Sequence, residues 1–201
     1  DDDLARTTDG RGLVADKTLA QLKTLDAGRW FDPQFENTRI PTLDEVLAEL
    51  PPTTRLNIEL KALMRPARSD LPARVWAVVR NHNALNRVLF SSFSPWALQQ
   101  IQQVGAPPAH LAFLLLNQPL SGRVIGWLGE RIAPFETVHP WRGQLNQPFM
   151  TRCQARGWRV NPWFGAKEAE SAEDTRALVQ MGVSAIITNQ PLLVSAAVAQ
   201  G

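Results

Sequence analysis

The chain has 201 residues, 44% hydrophobic and 20% charged, the balance of an ordinary globular protein with one well-buried core. Its 21 basic and 19 acidic residues leave a net charge of +2 with no basic run, so nothing marks a nucleic-acid surface. No apolar stretch approaches the roughly 18 residues that a membrane-spanning helix needs, which argues against stable membrane insertion. A single cysteine, Cys153, excludes an internal disulfide and fits a reducing compartment.

The chain opens on Asp1-Asp2-Asp3 without an initiator Met, which reads as a start inside a longer protein. Residues 6–14 are rich in turn formers, with Asp9-Gly10 and Gly12 at the expected turn positions. Two short helices are predicted over 18–25 and 42–50. Asp16 or Lys17 precedes the first, and Thr42 with Glu45 forms a capping box at the second. The aromatic stretch 28–39 between them reads as loop.

From residue 55 short apolar runs alternate with amphipathic segments. Strands are predicted at 55–61, 88–91, 111–115, 135–139, 158–163 and 185–188. Helices are predicted at 72–80, 95–104, about 121–128, 149–156 and 173–181. Ser94 before Pro95 is a helix start, and Gly105, Gly157 and Gly182 are helix stops. Cys153 falls within a helix and reads as a buried or half-buried thiol, not a nucleophile.

Alternating strands and helices imply a parallel sheet joined by right-handed crossovers. Six strands leave two architectures open. An eight-stranded barrel takes about 250 residues, so this chain would be short of one by about two strands and a helix. An open doubly wound sheet would hold six strands without truncation, but no Gly-rich turn follows an early strand here.

Side chains alternate across a strand, so Asn57, Glu59 and Lys61 point one way and Leu56, Ile58 and Leu60 the other. In a barrel the apolar set faces the helices, and the polar set rises inside toward the C-terminal mouth. Burying a carboxylate and an ammonium is costly unless each finds a partner. A structural Glu–Lys pair is the plain reading. Three polar residues at a strand's C-terminal end favour a site instead. Glu59 suits a hard divalent cation such as Mg²⁺ or Ca²⁺, and Lys61 suits the nonbridging oxygens of a phosphate.

At this point the residues carry a resemblance. Asp1-Asp2-Asp3-Leu4-Ala5-Arg6-Thr7-Thr8-Asp9-Gly10-Arg11-Gly12 resembles the HDxxLxRTTxGxG signature of the glycerophosphodiester phosphodiesterases, beginning one residue after its His. Ile40-Pro41-Thr42-Leu43-Asp44-Glu45-Val46-Leu47 is similar to the family's IPTLxEvL segment. Asn57-Ile58-Glu59-Leu60-Lys61 is similar to its NIExK strand, and Ser91-Ser92-Phe93 to its SSF turn. Residues 181–191 resemble its closing LGVDGIITDxP strand. The motifs come in the family's order over essentially the whole chain.

The resemblance implies a (β/α)8 TIM barrel of the phosphodiesterase type with its first two strands missing from this chain. Residues 1–54 would hold the end of a catalytic loop and a small helical insertion, and residues 55–201 strands three to eight, in one domain overall. The implied reaction is hydrolysis of glycerophosphodiesters to glycerol 3-phosphate and an alcohol. The implied metal ligands are Glu59 and an upstream Glu-x-Asp pair. The two acid/base His, one directly before Asp1, would also lie upstream, so the isolated chain is expected to be inactive. Lys61, Trp163 and His139 are the expected substrate-binding residues. His82 and His110 read as ordinary boundary residues, and Arg6 as an anchor of its own loop. After Trp163 the family's usual Thr and Asn are replaced by Phe164-Gly165-Ala166, and Asn189-Gln190 replace Asp-Arg, which alters the alcohol side. The short excursion before residue 55 resembles the compact cytoplasmic members. Unpaired sheet edges leave self-association open. A related barrel phospholipase, with the 28–35 loop facing lipid, and a non-catalytic binding barrel are the alternatives.

Overall fold

The computed structural model describes residues 2–61, 70–116, 129, 131–165 and 168–199. The chain divides into two compact units, one of residues 1–54 with 77–87 and one of residues 55–76 with 88–201.

In the first unit two short helices form, α1 (Leu19–Leu22) and α2 (Leu43–Glu49). The first is shorter than predicted, and its cap is Thr18 itself, not Asp16 or Lys17. Thr18 accepts from Gln21 N–H while Gln21 reaches back, a capping box with Gln at its third position. Between the helices, Asp26 organises the loop by accepting N–H bonds from Arg29 (2.9 Å), Asn37 (2.6 Å) and Gly28 (2.9 Å). These donors, Arg29 first, lower its carboxyl from 3.8 to about 2. Arg87 donates to the carbonyls of Leu47 in α2 (3.0 Å) and of Pro51 just beyond it (2.9 Å). His82 pairs with Asp44 at 2.8 Å.

The second unit is built on a five-stranded parallel sheet, β1 (Leu56–Glu59), β2 (Val88–Ser92), β3 (Leu111–Leu114), β4 (Thr137–His139) and β5 (Arg159–Val160), in that order. A doubly wound sheet reverses its strand order at a switch point. This one never reverses, which removes that rival. The helices are α3 (Leu71–Asn81, shared between the units), α4 (Pro95–Gln103), α5 (Gln147–Ala155), α6 (Ala172–Gln180) and α7 (Pro191–Ala199). The predicted helix near 121–128 lies outside the described residues.

The sixth run, 185–188, does not form the predicted strand. It follows β5 through Ser184 N–H to Val160 O (2.8 Å), Ile187 N–H to Pro162 O (2.9 Å) and one bridge from Trp163 to Ile187. Pro162 has no N–H to give, so the ladder is interrupted there and β5 ends early. Helix α5 starts two residues before its predicted position, because Asn146 caps it by accepting from Phe149 N–H (2.9 Å). The sequence predicts no helix at α7, whose nearly uniform apolar composition offers no polar face.

The core lies between sheet and helices. Phe90, Phe113, Leu98, Ile101 and Leu111 are fully buried, and Trp76 of α3 lies against Phe90 at 6.1 Å between ring centres. Gly105 ends α4 at φ +121, and a Cβ there would meet the Trp76 ring at 3.1 Å. Since Ile58 pairs with Phe90 in register, the odd-numbered residues of β1 face away from the helices. That other face curves. Phe93, just after β2, meets Trp163, beyond β5, edge-on at 6.1 Å. Three strand spacings in a flat sheet would separate them by about 14 Å.

Candidate active site

Register places Glu59, Ser91, Ala112 and Thr137 in one row across the inner face, with Leu114 and His139 in the next row. The rows end at the C-terminal edge of the sheet, where parallel α/β proteins keep their ligands.

At β1, Lys61 Nζ lies 2.9 Å from Glu59 Oε1, with side chains 46% and 30% exposed. Both charges therefore keep access to solvent at the strand's end and carry no large burial cost. The two serines that close β2, Ser91 and Ser92, fix this corner. Ser92 Oγ donates to Leu60 O (2.7 Å) and accepts from Ser94 N–H (3.1 Å), while Leu60 N–H donates to Ser91 O (2.7 Å). The Ser92 bond holds the peptide between the two charged residues. The sequence reading noted the Ser-Ser-Phe turn but assigned Ser92 no part.

His139 closes β4 and is 1% exposed. Burial lowers its imidazole from 6.5 to about 4, so the ring is neutral at physiological pH. Asn161, in register beside it, presents Nδ2 at 3.2 Å from His139 Nε2. Trp163 Nε1 donates to His139 O (3.2 Å), and the indole is half-buried against Phe93. Asn161 was missed by the sequence reading; its i+2 spacing from Trp163 and from Arg159 was the available signal.

The loops after β4 and β5 are tied at Glu168. Its carboxylate accepts from Trp141 Nε1 (2.9 and 3.0 Å) and Gly165 N–H (2.7 Å). Arg142 lies 3.7 Å from Glu168, pairs with Asp174 at 3.0 Å and covers the Phe164 ring at 5.3 Å. Phe164 is thus a buried prop of the loop. Asn189 is likewise committed, donating through N–H (2.8 Å) and Nδ2 (2.9 Å) to Glu170. Burial alone would raise the Glu170 carboxyl, but the bonds from Thr188 and Asn189 outweigh it and lower the value.

Ca²⁺ takes six to eight oxygen ligands, and Mg²⁺ takes six, usually several waters with one or two carboxylates. Among the described residues no three His, Cys, Asp or Glu side chains converge. Glu59 faces Lys61, and its row neighbours Ser91, Ala112 and Thr137 bring no second carboxylate. The described residues do not make a metal centre on their own. No helix among the described residues is long and apolar enough to cross a membrane.

The model of the glycerophosphoryl diester phosphodiesterase family matches residues 1–193. A glycerophosphodiester phosphodiesterase of Caldanaerobacter subterraneus is 32% identical over 195 residues, covering 95% of this chain and 75% of its own length. One from Bacillus subtilis is 29% identical, covering 95% and 68%. Among solved structures, a glycerophosphodiester phosphodiesterase from Agrobacterium tumefaciens superposes with a TM-score of 0.74 at 26% identity, over 98% of this chain and 78% of that one. A phosphodiesterase from Oleispira antarctica, in complex with the product sn-glycerol-3-phosphate, superposes with a TM-score of 0.77 at 24% identity, over 99% and 77%. The curled sheet in sequential order is therefore that of a TIM-type barrel, and the chain belongs to the glycerophosphoryl diester phosphodiesterase family.

Proposed function

We propose that this chain carries the phosphate-binding side of an enzyme that hydrolyses glycerophosphodiesters to glycerol 3-phosphate and an alcohol. The observation that carries the reading is the Glu59–Lys61 pair, half-exposed at the C-terminal end of β1, where an anion can reach the ammonium. Attack of water on phosphorus places negative charge on the nonbridging oxygens, and the Lys61 ammonium offsets that charge as it develops. Glu59 orients Lys61 and holds it against the mouth. Trp163, braced by Phe93, gives the carbon skeleton of the substrate an apolar wall.

The proton transfers need groups elsewhere. Glu59 is the ion-pair partner of Lys61, and His139 is too buried to meet a leaving alcohol. We assign the two acid/base histidines, the first two barrel strands and a Glu-x-Asp pair to a segment preceding Asp1 in a longer polypeptide. There the Glu-x-Asp pair, with Glu59, would hold Mg²⁺ or Ca²⁺, which would supply positive charge at the phosphate. The relatives' names and the product bound by the Oleispira antarctica protein support this choice of substrate. A cytoplasmic location belongs to the same reading.

The test is product identity. The longer polypeptide, given glycerophosphocholine and either cation, is expected to yield glycerol 3-phosphate and choline by ³¹P NMR. Choline phosphate as product, or no turnover with any glycerophosphodiester, would overturn the reading.

A further inference from the structure

His139 is used three times within its own neighbourhood. Its carbonyl accepts from Leu115 N–H (2.9 Å) and from Trp163 Nε1 (3.2 Å), and its ring Nε2 faces the amide donor Asn161 Nδ2 at 3.2 Å. A neutral imidazole carries one proton. With Nε2 accepting, that proton sits on Nδ1. His139 Nδ1 and Asn161 Oδ1 are both buried with no protein partner, and Thr137 Oγ1, two residues back on the same strand face, is a third such atom. Nε2 faces Asn161, so Nδ1–H points away from it, and Nδ1–H and Thr137 Oγ1 on one strand face suit a single buried water.

We propose that His139 is a positioning residue: its ring, locked as the Nδ1–H tautomer with a buried water joining Nδ1–H to Thr137 Oγ1, holds Asn161, while its backbone carbonyl holds Trp163, so that together they fix the apolar wall of the mouth. Only the naming of that wall rests on the phosphodiesterase reading. The tautomer and the hold on Trp163 stand apart from it. Burial of the ring agrees, because an imidazole that touched substrate through Nδ1 or Nε2 would open to the mouth, and this one is 1% exposed.

The chain has three histidines, so ¹⁵N-histidine NMR of the 201-residue chain isolates His139 by its loss in His139→Gln. The expected result is the Nδ1–H tautomer, held from neutral pH to about pH 5. An Nε2–H tautomer, or a mixture, overturns the proposal. The Trp163 indole N–H resonance, assigned by its loss in Trp163→Phe, gives the second readout. It is expected to stay in place in His139→Gln, whose amide oxygen can accept from Asn161, and to move in His139→Leu. An unmoved resonance in folded His139→Leu, which keeps the carbonyl that accepts from Trp163, refutes the part of the ring in placing the wall. Should His139→Leu fail to fold, Asn161→Ala serves, with loss of the single His139 tautomer expected and retention contradicting the proposal. In a longer polypeptide that turns over glycerophosphocholine, His139→Leu is expected to raise KM about tenfold with a smaller change in kcat. Absence of turnover in the unsubstituted protein would sink the phosphodiesterase reading and leave the tautomer result standing.

Discussion

Acidification reads the burial of His139 directly. The unfolded chain takes up a proton on this ring below its ordinary value of 6.5, and the folded chain does so only near 4. Between those values the unfolded state binds more protons, so stability falls as the pH falls. Each pH unit in that window carries about 1.4 kcal/mol, which gives a loss of about 3 kcal/mol by pH 4. Above 6.5 the ring contributes nothing. Asp26 and Glu45 have lowered values, both about 2, so their stabilisation is present above the ordinary carboxyl range and is lost below it, as the pH falls toward 2. The interval from 6.5 to about 4.5 therefore belongs to His139. Urea unfolding at a series of pH values should show the parent chain losing at least about 2 kcal/mol more than His139→Gln across it. Parallel stability curves for the two proteins would refute the burial argument.

Lys61→Met removes the ammonium proposed to face developing phosphate charge, and kcat in the longer polypeptide should fall by about 10² to 10³ with the fold intact by circular dichroism. Asp26→Asn removes the carboxylate that gathers the amides of Arg29, Asn37 and Gly28; those three amides should lose hydrogen-exchange protection before the sheet does. Phe90→Ala empties a fully buried ring position against Trp76 and should destabilise the second unit by about 3 to 5 kcal/mol in urea unfolding.

Much of this architecture is legible in the sequence because its periodicities are local. The Val88–Ser92 and Leu111–Leu114 strands are short apolar runs, and Ser94-Pro95 announces α4. The Glu59–Lys61 corner is legible because two charges at i, i+2 on a strand must share a face. What escaped depends on partners distant in sequence. The ladder break at Pro162 shortens β5 and reduces 185–188 to a single bridge, though the run's apolar pattern alone spells a strand. Ser92, Asn161 and Glu168 act through carbonyls, a ring nitrogen and an indole up to 32 residues away, and no spacing rule reaches that far. His139 shows the limit best. Its position at a strand end marks it as a mouth residue, but only the packed structure shows that the ring turns into the interior.

The most direct test of the account concerns Glu59. Glycerol 3-phosphate release from glycerophosphocholine would be followed for the 201-residue chain, for the longer polypeptide, and for the longer polypeptide with Glu59→Gln, each with Mg²⁺ or Ca²⁺. The account predicts turnover only by the unsubstituted longer polypeptide, with Glu59→Gln lowered at least about 10²-fold. Substantial turnover by the 201-residue chain alone, or full activity in Glu59→Gln, would contradict it.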